Sequence, residues 1–155
     1  MSQKKLAIIA TKGTLDWAYP PFILASTAAA LGYETQIFFT FYGLQLLRKK
    51  LNLQVTSLGN PAMPMPIPVP VLMQALPGMQ SFMTMMMKNK MKQKGIASLE
   101  QLRDLCIEAE VKYIACQMTV DLFDFSHSDF IDGLEFGGAA TFFEFAGESD
   151  ICLYI

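Results

Sequence analysis

Cys116 stands where a short apolar run, Val111-Lys-Tyr-Ile-Ala-Cys-Gln-Met-Thr119, closes and passes at once into Val120-Asp-Leu-Phe123. In a parallel α/β layer such a junction falls at the carboxyl edge of the sheet. Backbone N–H groups point outward there and hold anions. A thiol so placed can be held as thiolate, the form that attacks sulfur or carbon electrophiles. The other candidate groups derive from the same edge. The loops Thr11-Lys-Gly-Thr14 and Thr40-Phe-Tyr-Gly43 close the first two apolar runs, so a parallel sheet brings them out beside Cys116. Lys12 then offers a cation for the thiolate, and Phe41 and Tyr42 an apolar wall, although Lys12 is equally readable as an ordinary loop lysine. His127, eleven residues after Cys116 and flanked by two serines, reads as a solvated or capping residue more readily than as a base.

The other two cysteines read differently. Cys106 falls with Leu99, Leu102, Leu105 and Ala109 on one face of a helix opened by Ser98 and Gln101 at capping-box spacing, which turns its sulfur toward the core. Cys152 lies among apolar neighbours in a terminal run and reads as packing. Three cysteines without a CxxC suggest neither a disulfide framework nor a zinc site, and reduced thiols suit a cytoplasmic protein. There is no GxGxxG, P-loop or HExxH, and one histidine cannot build a metal cluster, so no metal and no cofactor are expected.

Elements able to position these groups are legible in order. A chain of 155 residues, 52% apolar and 17% charged, matches one domain with a sheet buried on both faces. Its formal net charge of −2 argues against a nucleic-acid partner. Leu6–Ala10 is the first strand. A helix runs from Asp16, taken as N-cap, to Leu31-Gly32, with Pro20 and Pro21 assigned to its first turn. Thr35–Phe41 is the second strand, and Gly43–Lys50 a short helix ending in three cations. After the helix from Ser98 and the strand Val111–Cys116, residues 126–138 read as loop. Ala139–Ala146 is the last helix and Asp150–Ile155 the last strand.

Between 60 and 94 the composition changes. Pro61, Pro64, Pro66, Pro68 and Pro70 alternate with apolar residues and predict an extended arm. A methionine-rich stretch comes next, ending in Lys88, Lys90, Lys92 and Lys94. Pro77-Gly78 divides it into halves too short to span a bilayer, for which about 20 residues are needed. This insert reads either as a contact between subunits of a homo-oligomer or as a weak membrane-surface or heteropartner contact.

Several of these segments together resemble the DsrE/DsrF/DrsH-like family, in its branch with a Met/Pro-rich insert: Lys12-Gly-Thr-Leu-Asp16, Phe38-Phe-Thr-Phe-Tyr-Gly-Leu44, Gly95-Ile-Ala-Ser-Leu99 and Ala115-Cys-Gln-Met-Thr-Val-Asp121. The resemblance covers nearly the whole chain. It implies a three-layer α/β/α, flavodoxin-like parallel sheet over residues 1–155 and assembly as a homo-oligomer. It also implies transport of sulfane sulfur as a persulfide on Cys116, with Cys106 as a second thiol, Lys12, Gly13, Thr40, Tyr42, Gly43 and Gln117 around the sulfur, and rhodanese-like or TusA-like proteins as partners. Where the family often reads Ser-Met-Asp after the Ala-Cys-Gln-Met block, this chain has Thr119-Val-Asp121, which bears on how the pocket closes. The competing reading is a non-catalytic assembly or membrane-surface adaptor in which the arm is the active part and Cys116 a buried strand residue.

Overall fold

The computed structural model describes residues 2–56 and 70–155. Five parallel strands form one sheet: β1 Lys5–Ala10, β2 Glu34–Phe39, β3 Lys112–Cys116, β4 Glu135–Gly137 and β5 Ile151–Tyr154, in the order β4-β3-β2-β1-β5. The alternation of side chains along each strand sorts them onto two faces. Leu6, Ile8, Ile37, Phe39, Tyr113 and Ala115 enter the larger core beneath α1 Leu15–Ala30 and α4 Leu99–Glu108. Ala7, Phe38, Ile114 and Cys116 point the other way and meet Phe142 of α6 Ala139–Ala146. Helices therefore cover both sides of the sheet, the α/β/α arrangement expected of near-continuous apolar strands.

Local chemistry explains the boundaries. Ser98 accepts from the Gln101 N–H while Gln101 accepts from the Ser98 N–H, so α4 begins with the capping box its sequence implies. Thr14, not Asp16, is the N-cap of α1; Asp16 sits in the first turn and its carboxylate accepts from the Thr56 N–H and hydroxyl. Because α1 starts at Leu15, Pro20 and Pro21 fall in its second turn, where their missing N–H groups leave the Asp16 and Trp17 carbonyls without helical donors.

Other departures have similar local causes. The expected helix Gly43–Lys50 is a 3-10 helix over Phe41–Leu47, so Arg48-Lys-Lys50 lie beyond its end rather than in its last turn. On α4, Leu105 and Ala109 are exposed and Arg103 is buried in their place; its guanidinium donates to the Leu46 and Arg48 carbonyls at 3.0 and 2.8 Å, closing the end of the 3-10 helix. The strand β4 lies inside the passage read as loop, since three residues ending on the first glycine of a Gly-Gly pair give no period to detect. Cys152 is exposed rather than packed, because β5 is an edge strand.

Residues 57–69, which include the proline-alternating part of the arm up to Val69, lie outside the described residues. Beyond Pro70 the arm is helical: α2 Val71–Gln74 and α3 Met79–Gln93, separated at Pro77-Gly78 as the sequence suggests. The methionine-rich α3 lies on its own domain. Met83 and Thr84 are buried, the Thr84 hydroxyl accepts from the Val55 N–H, and Gln80 donates to the Val55 carbonyl. No helix among the described residues is long and apolar enough to cross a membrane.

One glycine fixes how the second loop meets the first. A Cβ on Gly43 would overlap the Ala10 carbonyl, against which the turn is pressed. Gly43→Ala is expected to cost about 2–3 kcal/mol as the turn lifts away. Chemical denaturation should show it as a lower midpoint at unchanged slope; an unchanged midpoint would mean that the turn has room.

Candidate functional site

Strand register decides what surrounds Cys116. Phe39 of β2 pairs with Ala115 of β3, so the next residue on each strand, Thr40 and Cys116, leave the sheet side by side. Helix α5 Gln117–Leu122 starts at once, with Cys116 as its N-cap residue, and its first turn carries Thr119 back over the sulfur. Thr119 is fully buried; its hydroxyl lies 3.3 Å from the Thr40 hydroxyl and accepts the Phe41 N–H at 3.1 Å. That bond holds Phe41 at φ +48°, a left-handed conformation costly for an aromatic residue.

The electrostatics of the sulfur result from this cage. Cys116 keeps only 4% of its surface exposed. Burial alone pushes its pKa up, but hydrogen bonds from the Thr119 hydroxyl and N–H, the Thr40 hydroxyl and the Met118 N–H outweigh it. The net result is a thiol held below the ordinary cysteine value. The site is thus a small set of neutral donors around one sulfur, suited to an anion that must also leave.

Sequence-designated residues fall into two groups here. Thr40 and Cys116 are together. Gln117, beside Cys116 in the chain, donates to Asp121 at 2.8 Å and meets His127 Nε2 at 2.9 Å, while the His127 ring stacks on Phe136 at 3.7 Å. The imidazole therefore serves Gln117. Lys12, Gly13 and Tyr42 meet in a separate shallow cavity of about 400 Å³ with Thr14, Trp17 and Gln45. A Cβ on Gly13 would stand 2.5 Å from the Tyr42 carbonyl, so the two loops touch through their glycines. Lys12 Nζ lies 4.2 Å above the Trp17 ring. It extends β1, two strands from β3, which is roughly 10 Å across the sheet. The sequence reading touches Thr119 only within the Thr119-Val-Asp121 departure from the family and gives it no place at the sulfur; its signal is a hydroxyl three residues into the helix that Cys116 opens.

Cys106 is on the other side of the sheet. It is fully buried, its Sγ donates to the Phe22 carbonyl at 3.3 Å, and burial pushes its pKa up. The sheet stands between the two sulfurs, so a disulfide joining them requires the fold to open. In native protein, timed alkylation with iodoacetamide should modify Cys152 and Cys116 while Cys106 stays at least about a hundredfold slower. Equal rates for Cys106 and Cys116 would contradict this placement.

Known proteins resemble the chain over its whole length. The model of the DsrE/DsrF/DrsH-like family matches residues 2–154. The sulfur carrier protein DsrE2 of Allochromatium vinosum is 76% identical over 159 residues, covering all of both chains. The uncharacterized protein YrkE of Bacillus subtilis is 30% identical, covering 98% of this chain and 97% of its own. Among solved structures, the ychN protein from E. coli superposes with a TM-score of 0.54 at 12% identity over 99% of this chain and 100% of its own, a likeness of fold. By sequence across its length and by its parallel five-stranded sheet, the chain belongs to the DsrE/DsrF/DrsH-like family.

Proposed function

We propose that this protein carries sulfane sulfur as a persulfide on Cys116 and hands it to the thiol of another protein. The observation that carries the reading is that Cys116 ends β3 and opens α5, almost closed from solvent at the edge where the Thr40 and Thr119 hydroxyls meet, with its thiol held below the ordinary cysteine value. The name of the Allochromatium relative, a sulfur carrier, supports the same chemistry.

Mechanistically, the Cys116 thiolate attacks the outer sulfur of a donor persulfide. A new S–S bond forms, the donor S–S bond breaks, and the donor thiolate leaves with the electron pair. In the second step an acceptor thiolate attacks the outer sulfur now on Cys116, and Cys116 departs as thiolate. No electrons are gained or lost overall, so neither oxidant nor cofactor is needed. The donors favour both steps for one reason. They lower the basicity of the sulfur, which makes it abundant as nucleophile at neutral pH and a good leaving group on discharge. Rhodanese-like or TusA-like proteins fit the donor and acceptor roles, and residues 1–155 act as one domain. The test is whether protein treated with polysulfide and then desalted releases sulfane sulfur to added glutathione. Stoichiometric release is expected; protein that never acquires sulfur would end the reading.

A further inference from the structure

Charge is unevenly distributed along this chain. From Thr35 to Leu99 there is no carboxylate, so the cations of that stretch can pair only with distant residues or not at all. Arg48, Lys49 and Lys50 do not pair: among the described residues the only salt bridges are those of Lys5 with Glu34 and Glu148. All three line one cavity of about 490 Å³, together with Asn52, Ser128 and Asp129. Three cations therefore share a concave space with one carboxylate. Its volume is that of a small-molecule site.

The walls of this cavity are fixed to each other. Arg48 forms an antiparallel bridge with Phe130, the Lys49 N–H donates to the Asp129 carbonyl at 3.0 Å, and the Ile131 N–H donates to the Leu47 carbonyl at 2.9 Å. The Arg48 guanidinium lies 5.1 Å above the Phe125 ring, which holds it without neutralising it. The Asp129 carboxylate is partly engaged, since it accepts from the Ser126 N–H at 2.9 Å. Behind the wall stands a fourth cation, the buried Arg103, which donates to the Leu46 and Arg48 carbonyls and whose Nε has no partner. Glu100 and Asp104 act on Arg103 from its own helix, but neither is close enough to form an ion pair with it. The buried guanidinium thus adds to the positive potential of the cavity.

We infer that this cavity binds a small molecule with two or more negative charges, of the phosphate-ester or polycarboxylate kind. Three cations against one carboxylate leave an excess of two positive charges, which two anionic groups on one molecule would balance. A single oxyanion would fill little of the space. The lysine ammonium groups supply point charges, the Arg48 fork and the Asn52 amide supply directed donors, and the Ser128 hydroxyl donates or accepts. Leu53 is the only apolar residue of the lining, so the site selects by charge and hydrogen bonding. It is separate from the carrier site, because Leu53 belongs to the core beneath α1 and α4 and Cys116 to the opposite one. The inference is therefore independent of the carrier reading.

Calorimetric titration of the full chain with pyrophosphate and with citrate, at matched ionic strength, tests this. One equivalent per chain is expected to bind, and more weakly as sodium chloride is raised. Lys49→Ala combined with Lys50→Ala should weaken binding at least about tenfold, through the loss of charge-assisted contacts. Lys88→Ala combined with Lys92→Ala removes the same charge from a different cavity and should weaken it less than about twofold, the effect of screened distant charges. The tighter of the two anions identifies phosphoryl or carboxyl as the preferred group, and either preference upholds the site. Limiting acetylation reads the location without any variant. The bound anion should shield Lys49 and Lys50 and leave Lys88 and Lys92 reactive. Binding of neither anion at millimolar concentration, equal weakening by the two double variants, or equal shielding of all four lysines would overturn the inference.

Discussion

Serine at position 116 is expected to leave the protein folded and wholly unable to hold sulfane sulfur. The substitution keeps the shape of the side chain, and the groups that serve the sulfur, the Thr40 and Thr119 hydroxyls with the Met118 and Thr119 N–H groups, can serve a hydroxyl equally. Stability should therefore change by no more than about 1 kcal/mol. Chemistry is a different matter, because a serine hydroxyl stays protonated at neutral pH and forms no bond to sulfane sulfur. Glutathione-releasable sulfur after polysulfide treatment should fall to background in Cys116→Ser and persist in Cys106→Ser, whose site lies across the sheet. Release from Cys116→Ser at the wild-type level would move the carrier site elsewhere.

Replacing Thr119 by valine should slow loading about tenfold at neutral pH, the worth of one hydrogen bond to a charged group of roughly 1.5 kcal/mol. The direction is set by the balance at the sulfur. Burial raises the Cys116 pKa and the donors more than offset it, with the Thr119 hydroxyl the largest of them. Removing it shifts the balance toward the protonated thiol. The pH profile of loading should accordingly move to higher pH and rejoin the wild-type plateau once both thiols are ionised. Thr119→Ser keeps the donor and should keep the profile. An unmoved profile in Thr119→Val would show that the hydroxyl does not govern the sulfur, whereas a uniform loss at every pH would indicate a displaced loop, since Phe41 N–H also depends on this oxygen.

Much of this site is legible in the sequence alone, for a physical reason. Strands buried on both faces are written as unbroken apolar runs, and a parallel sheet sends all their ends to one edge. The runs Leu6–Ala10, Thr35–Phe41 and Val111–Cys116 are therefore enough to bring Cys116 and the loop from Thr40 to one edge, although the second strand itself ends at Phe39. The face of each strand residue is less accessible. Only the packed structure shows that Cys116 and Cys106 enter cores on opposite sides of the sheet, and that Lys12 is two strands away and over Trp17. Thr119 is easily passed over because threonine early in a helix is ordinary until an N–H and a sulfur are seen to share it. Arg103 is hidden for a similar reason: an arginine on an amphipathic helix reads as solvated, and here its partners are carbonyls 57 and 55 residues away in the chain. Edge strands are poorest. β4 is too short to show a period, and the exposed Cys152 has the same apolar neighbours as a buried one.

The reading stands on one sulfur, and its location can be measured directly. Cys152→Ser alters an exposed edge position and leaves Cys116 as the sole cysteine after Lys112, the last lysine or arginine of the chain. Trypsin then places Cys116 in the peptide Tyr113–Ile155 and Cys106 in Asp104–Lys112. After polysulfide treatment of the folded variant, peptide mass spectrometry should find a gain of about 32 Da, one sulfur atom, on the Cys116 peptide, lost again on reduction. The same gain on the Cys106 peptide alone, or on neither, would contradict the assignment of Cys116 as the carrier.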